Sequence, residues 1–158
     1  MDCHNSHRSL TAALLRHLES EEALLRTALS NVTGLNDALM RGDLTSGRTI
    51  CTGQPALADA LHDAAEARGA AAAALALELG LAPAGVTLAA LAEQLPPDLQ
   101  AEILAARTRL TALTSELTAI QARNANLTAH LRSFFRGVLS EVTAADAPPR
   151  YGPTGRRI

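Results

Sequence analysis

The chain has 158 residues, a formal net charge of -2 and a pI near 6.2. That length suits one cooperative domain, and the near-neutral charge excludes the electrostatic footprint of a nucleic-acid binder. Hydrophobic residues make up 47% of the chain and aromatic residues only 2%, with 2 Phe and no Trp. A core built mainly from Leu and Ala fills by close helix approach, so the composition points to an all-α protein. All 14 basic residues are Arg, a bias that reads as coding composition rather than function.

The N-terminus, "MDCHNSHRSL", lacks a basic stretch followed by an apolar run, so no secretory signal is expected. Cys3 and Cys51 have no CxxC spacing, which argues against a structural disulfide. The most apolar run, "GAAAAALALELGLA", is interrupted by Glu78 and is too short and Ala-rich for a membrane span. A cytoplasmic location is expected.

In chain order, a first helix should run from near Ser9 to near Gly42. Leu14, Leu18, Leu25, Ala28, Val32, Leu35 and Leu39 alternate in steps of four and three, with Glu21 taking a seam position. "GDLTSGRTICTGQP" is rich in Gly, Thr and Ser and reads as a loop ending at a helix-starting Pro. A second helix is expected from about Ala56 to Leu79, stopped by Gly80. After "APAG", Thr87 can cap a short helix through Leu95, before "PPD" breaks the chain again.

The fourth helix, expected from about Asp98 to Ala144, carries the strongest pattern. Leu99, Ile103, Ala106, Leu110, Leu113, Leu117, Ile120, Asn124, Leu127, Leu131, Phe134 and Val138 recur in unbroken steps of four and three. Such a helix is roughly 70 Å long against roughly 50 Å for the first, so part of its seam must meet another chain or stand exposed. Asn124 is the polar interruption: it either fixes register inside a seam or faces solvent where the helices splay. Leu131, Phe134, Phe135, Val138, Leu139 and Val142 then widen the stripe into a globular or groove-binding face. That face is either core against the start of the first helix or a surface for a partner helix.

Enzymatic constellations are weak. Asp59, His62 and Glu66 share a helix face and suggest half of a di-iron carboxylate site, but no second acidic-x-x-His pair completes it, so a solvated face is expected. Cys3, His4 and His7 are suitable ligand types at a terminus with no supporting shell. No phosphate-cradling Gly-rich loop and no locally supported nucleophile triad occurs. The chain reads as a binding protein with no catalytic residues, metal or cofactor.

The last residues place the lone tyrosine, Tyr151, among prolines and glycines in "APPRYGPTGRRI", where no core can form. This tail should be flexible, giving a helical domain over 1–145 and a tail over 146–158. The long helix with "NANLTAHLRSFF", the short Pro-containing linker and "YGPTG" together resemble the FlgN family of flagellar export chaperones. The resemblance is specific over about the last 40 residues and pattern-level elsewhere. It implies an antiparallel helical bundle or coiled coil, with three long helices, one short helix and a tail, that binds the C-terminal helical segments of the hook-filament junction proteins FlgK and FlgL. It also implies cargo binding on the last helix, for which Asn124, Leu127, Leu131, Phe134, Phe135 and Val138 are the candidates. Docking on the export-gate protein FlhA would use the tail element Tyr151, Gly152 and Gly155. The competing expectation is a structural homodimer closed by the long seam, with a passive tail.

Overall fold

The computed structural model describes residues 3–145, with side-chain surroundings for 6–140. Among the described residues there are four helices: α1 (Cys3–Arg41), α2 (Leu44–Glu78), α3 (Leu88–Glu93) and α4 (Pro97–Ala145). The all-helical architecture with three long helices and one short helix is as the composition and periodicity require. Helices α1 and α2 form an antiparallel hairpin, pinned by Arg68 against Glu21 and His7 against Glu78. Helix α4 runs parallel to α1, as the pairs Arg8–Asp98, Glu22–Arg109 and Asn36–Asn124 show. The course is up, down, up, with α1 in the middle.

Two expectations about local structure are corrected, the first being the start of α1, which lies at Cys3 rather than near Ser9. The stretch 44–55 is helical rather than a loop, so α2 begins twelve residues earlier than the sequence suggests and carries Pro55 in its interior. Gly42, at φ 71°, closes α1: its N–H donates to the Leu39 carbonyl and that of Asp43 to the Ala38 carbonyl, a Schellman arrangement. Asp43 immediately caps α2, its carboxylate accepting from the Ser46 N–H at 3.0 Å. The turn therefore consumes only Gly42 and Asp43. Gly47, which reads as a breaker, is buried against α1, where an added Cβ would lie 3.7 Å from Leu35 and 3.9 Å from Ala38. Tertiary packing overrides the loop-like local composition. Thr49 and Thr52 satisfy their hydroxyls on the carbonyls of Thr45 and Thr49.

A second Schellman arrangement at Gly80 ends α2, and the Thr87 hydroxyl caps α3 by accepting from the Ala90 N–H at 3.1 Å. Leu91 and Ala92 of α3 are fully buried, fastening this short helix across the base of the bundle. The core consists of Leu14, Leu18 and Leu25 from α1, Ala72, Leu75 and Ala76 from α2, and Ile103, Ala106, Leu110 and Leu113 from α4. Seam residues from Leu14 to Val32 on α1 and from Ile103 to Leu113 on α4 are buried and their neighbours half-buried or exposed, the stripe that the spacing of four and three demands; towards the end of α1, Leu35 and Leu39 are half-buried and Ala38 is the buried residue. Glu21 joins the seam, 9% exposed, because Arg68 from α2 brings Nη1 to 3.0 Å from its carboxylate oxygens.

Candidate helix-binding surface

The seam of α4 changes partner along its length. From Ile103 to Leu113 it is buried; Leu117 and Ile120 are half-buried; Asn124 is buried again at 6% exposure. The Asn124 amide donates from Nδ2 to the Val32 carbonyl at 2.8 Å, and its Oδ1 accepts from Asn36 Nδ2 at 2.8 Å. Of the two expectations for Asn124, the seam position is the one observed, and its partners lie on α1 of the same chain. A buried amide with both ends satisfied fixes one register between two helices, because sliding either helix by a turn would strand polar groups in an apolar seam.

That register determines what is left over. Only five residues of α1 follow Asn36, so α1 ends about level with the turn of α4 that carries Leu127 and Leu131, and both leucines are half-buried. Helix α4 continues for some four further turns, roughly 20 Å. Every described residue from Arg132 to Ser140 is exposed. Phe134 is 63% exposed, Phe135 57% and Val138 40%, with the two rings edge to face at 5.7 Å between centroids. The broadened stripe is therefore not core against the start of α1, which lies at the opposite end of the parallel α1–α4 pair. Arg132 and Arg136 flank the apolar side chains with positive charge.

The candidate cargo residues thus divide. Phe134, Phe135 and Val138 form an apolar surface, Leu127 and Leu131 sit where that surface meets the bundle, and Asn124 holds α4 in place beneath it. Tyr151, Gly152 and Gly155 lie outside the described residues. His62 and Glu66 are more than 70% exposed and 3.4 Å apart on one face of α2, in agreement with a solvated face. His7 contacts Glu78 at 3.8 Å, while the side chains of Cys3 and His4 lie outside the described residues. Among the described residues no cluster of three His, Cys, Asp or Glu side chains is placed to hold a metal ion, and no helix is long and apolar enough to cross a membrane.

The model of the FlgN protein family matches residues 1–157, almost the whole chain. The chain belongs to the FlgN family. No curated protein and no solved structure gives a significant match. As a FlgN-family protein the chain is a flagellar export chaperone by kind, and its helical bundle provides the open end of α4 as a candidate surface.

One feature of the surface was not legible in the sequence. A groove of about 740 Å3 lies between α2 and α4, floored by Glu21 and Leu25 of α1. Its α4 wall, including Thr111, Thr114, Thr118 and Ala122, lies just off the seam positions and shows no hydrophobic repeat. The signal available in the sequence was the series of short side chains at helical spacing beside an unusually acidic seam position, Glu21.

Proposed function

We propose that this protein is a cytosolic chaperone of flagellar type III export that binds C-terminal helical segments of the hook-filament junction proteins FlgK and FlgL. It keeps them from assembling early and delivers them to the export gate. The observation that carries the reading is the overhang of α4: an apolar stripe of Phe134, Phe135 and Val138 extending past the end of α1, exposed and flanked by arginines. An exposed contiguous apolar face on a helix marks an interaction surface, and a face at this spacing accepts an amphipathic helix. Full burial of a Phe side chain contributes about 1.5–3 kcal/mol, so two suffice to anchor a partner. Chemistry plays no part in this role, and no cofactor or metal is required.

The tail supplies the second half of the proposal. Tyr151, with Gly152 and Gly155 beside it, docks the loaded chaperone on FlhA, as the family resemblance implies. A Tyr ring fills a small pocket while its hydroxyl bonds a polar partner, and glycines let the backbone approach closely.

The test is to titrate the purified full chain with the C-terminal segment of FlgK or FlgL, then to present the complex to the cytosolic domain of FlhA. The expected results are a one-to-one complex that FlhA retains, and retention lost in Tyr151→Ala with cargo binding unchanged. A homodimer that the segment neither binds nor dissociates would replace the chaperone reading with the structural one.

A further inference from the structure

The groove between α2 and α4 is open because the two helices pack on opposite flanks of α1 and not on each other: among the described residues they share no Cα pair within 8 Å. At the base of the bundle α3 fills the space between them, with Leu91 and Ala92 fully buried. Above Leu88 of α3 the space becomes the groove, running along α4 from Arg107 to Ala122. That distance is about 23 Å, the length of a helix of four turns.

The wall and floor define what fits. Thr111, Thr114 and Thr118 donate their hydroxyls to carbonyls one turn back on α4, each at 2.8 Å, so these donors are satisfied and demand nothing of an incoming chain. Short side chains there let a second helix approach closely, while Leu25, Leu88 and Leu110 offer apolar contact. Two arginines, Arg68 and Arg107, and one carboxylate, Glu21, line the groove, and Arg68 is already paired with Glu21. The Arg107 guanidinium has no acidic partner among the described residues. The groove is therefore apolar with a surplus positive charge.

We infer that this groove seats a helix of the partner protein about four turns long, whose apolar face is flanked by a carboxylate that pairs with Arg107. The inference rests on the proposed chaperone reading and adds a second seat to it, since the groove and the overhang lie on different faces of α4. Charge argues against the other occupants. The chain's own last residues carry Arg150, Arg156 and Arg157 against one acid, Asp146, with three prolines, and the exposed end of α4 in a second copy carries Arg132 and Arg136 against Glu141, so each is net positive. Either would bring like charge to Arg107.

The experiment places a photo-crosslinking phenylalanine derivative at position 118, and separately at position 135 in place of Phe135, in the otherwise intact chain, with the FlgK C-terminal segment as probe. In parallel, Arg107→Glu is titrated with the same segment at low and high salt. Both positions are exposed, so neither label disturbs the core. Crosslinking from both positions is expected, together with at least tenfold weaker binding of Arg107→Glu at low salt that narrows as salt screens the pair. Crosslinking from position 135 alone overturns the second seat and leaves the chaperone reading standing. Crosslinking from position 118 with unchanged affinity of Arg107→Glu overturns the assignment of a carboxylate. Failure of the segment to bind the parent chain overturns both the seat and the reading on which it rests.

Discussion

Asn124, the polar member of the α4 seam, and Asn36 of α1 share an amide hydrogen bond of 2.8 Å, and Asn124 also donates to the Val32 carbonyl at the same distance. This pair helps set how far α4 projects beyond α1, because it locks the two parallel helices at one offset. The exposed phenylalanines begin ten residues further on. The Asn36–Asn124 contact, with the apolar seam from Ile103 to Leu113 and the Glu22–Arg109 pair, holds the offset that leaves the candidate surface exposed.

Replacing Asn124 by Ala should cost about 1–3 kcal/mol, since two hydrogen bonds are lost and the Asn36 amide loses its partner. Asn124→Leu should recover much of that loss by apolar burial while relaxing the register. Denaturant midpoints measure the first effect. Broadened amide resonances around Asn36 and Val32 would report the second, and a Leu variant as sharply ordered as the parent would show that register is set elsewhere.

Thr11 is fully buried and its hydroxyl has no hydrogen-bond partner. A buried unsatisfied hydroxyl is a standing cost, so Thr11→Val, which keeps the branched shape, should stabilise the protein by about 1 kcal/mol. Thermal unfolding measures this as a rise in Tm. A fall would mean that the hydroxyl contributes to packing or is hydrated in solution.

Glu22 accepts from Arg109 Nε at 2.9 Å and from Arg26 Nη2 at 2.7 Å. These bonds, Arg109 first, hold its carboxyl below its ordinary value of 4.5. A carboxyl with a lower pKa in the folded than in the unfolded chain stabilises the fold fully above about that ordinary value. The contribution is lost as pH falls through the folded value. Glu22→Gln should therefore cost about 0.5–1 kcal/mol at pH 7, in the range of pairs near a surface, and lose less stability than the parent below pH 4.5. Parallel pH curves for the two proteins would remove Glu22 from the account of acid sensitivity.

Ala72, Ala76 and Ala92 are buried where larger residues would hold the helices apart. Ala76→Leu adds volume at a site with no exposure and should destabilise by about 1–3 kcal/mol. Chemical denaturation checks this, and a stable variant would reveal slack between α1 and α2.

The seam of α4 was readable from spacing alone because burial on a helix repeats at 3.5 to 3.6 residues, and Ile103 to Leu113 follow it. The stretch around Gly47 misled for a physical reason. Glycine and threonine carry local signals for a loop, but here Gly47 is the small residue that lets α2 close on Leu35 and Ala38, information that resides in α1. Asn124 was legible as a seam position and not as a contact to Val32 and Asn36, since periodicity names a face without naming its neighbour. Phe134 and Phe135 continued the repeat whether covered or exposed, and only the end of α1 decides between the two. The groove beside Thr114 and Thr118 depends on the separation of α2 from α4, which no pattern within one helix encodes.

The proposed binding of a helical cargo segment on the overhang of α4 depends on Phe134 and Phe135, and a single titration decides it. The parent chain and a Phe134→Ser, Phe135→Ser double variant are titrated with the FlgK C-terminal segment, with circular dichroism and Tm recorded for both. Because both rings are more than half exposed, the variant should keep its helicity and Tm. Its affinity should fall on the order of 100-fold or more, as expected for the loss of two buried aromatic anchors. Equal affinity of the two proteins for the segment, with folding intact, would contradict this dependence.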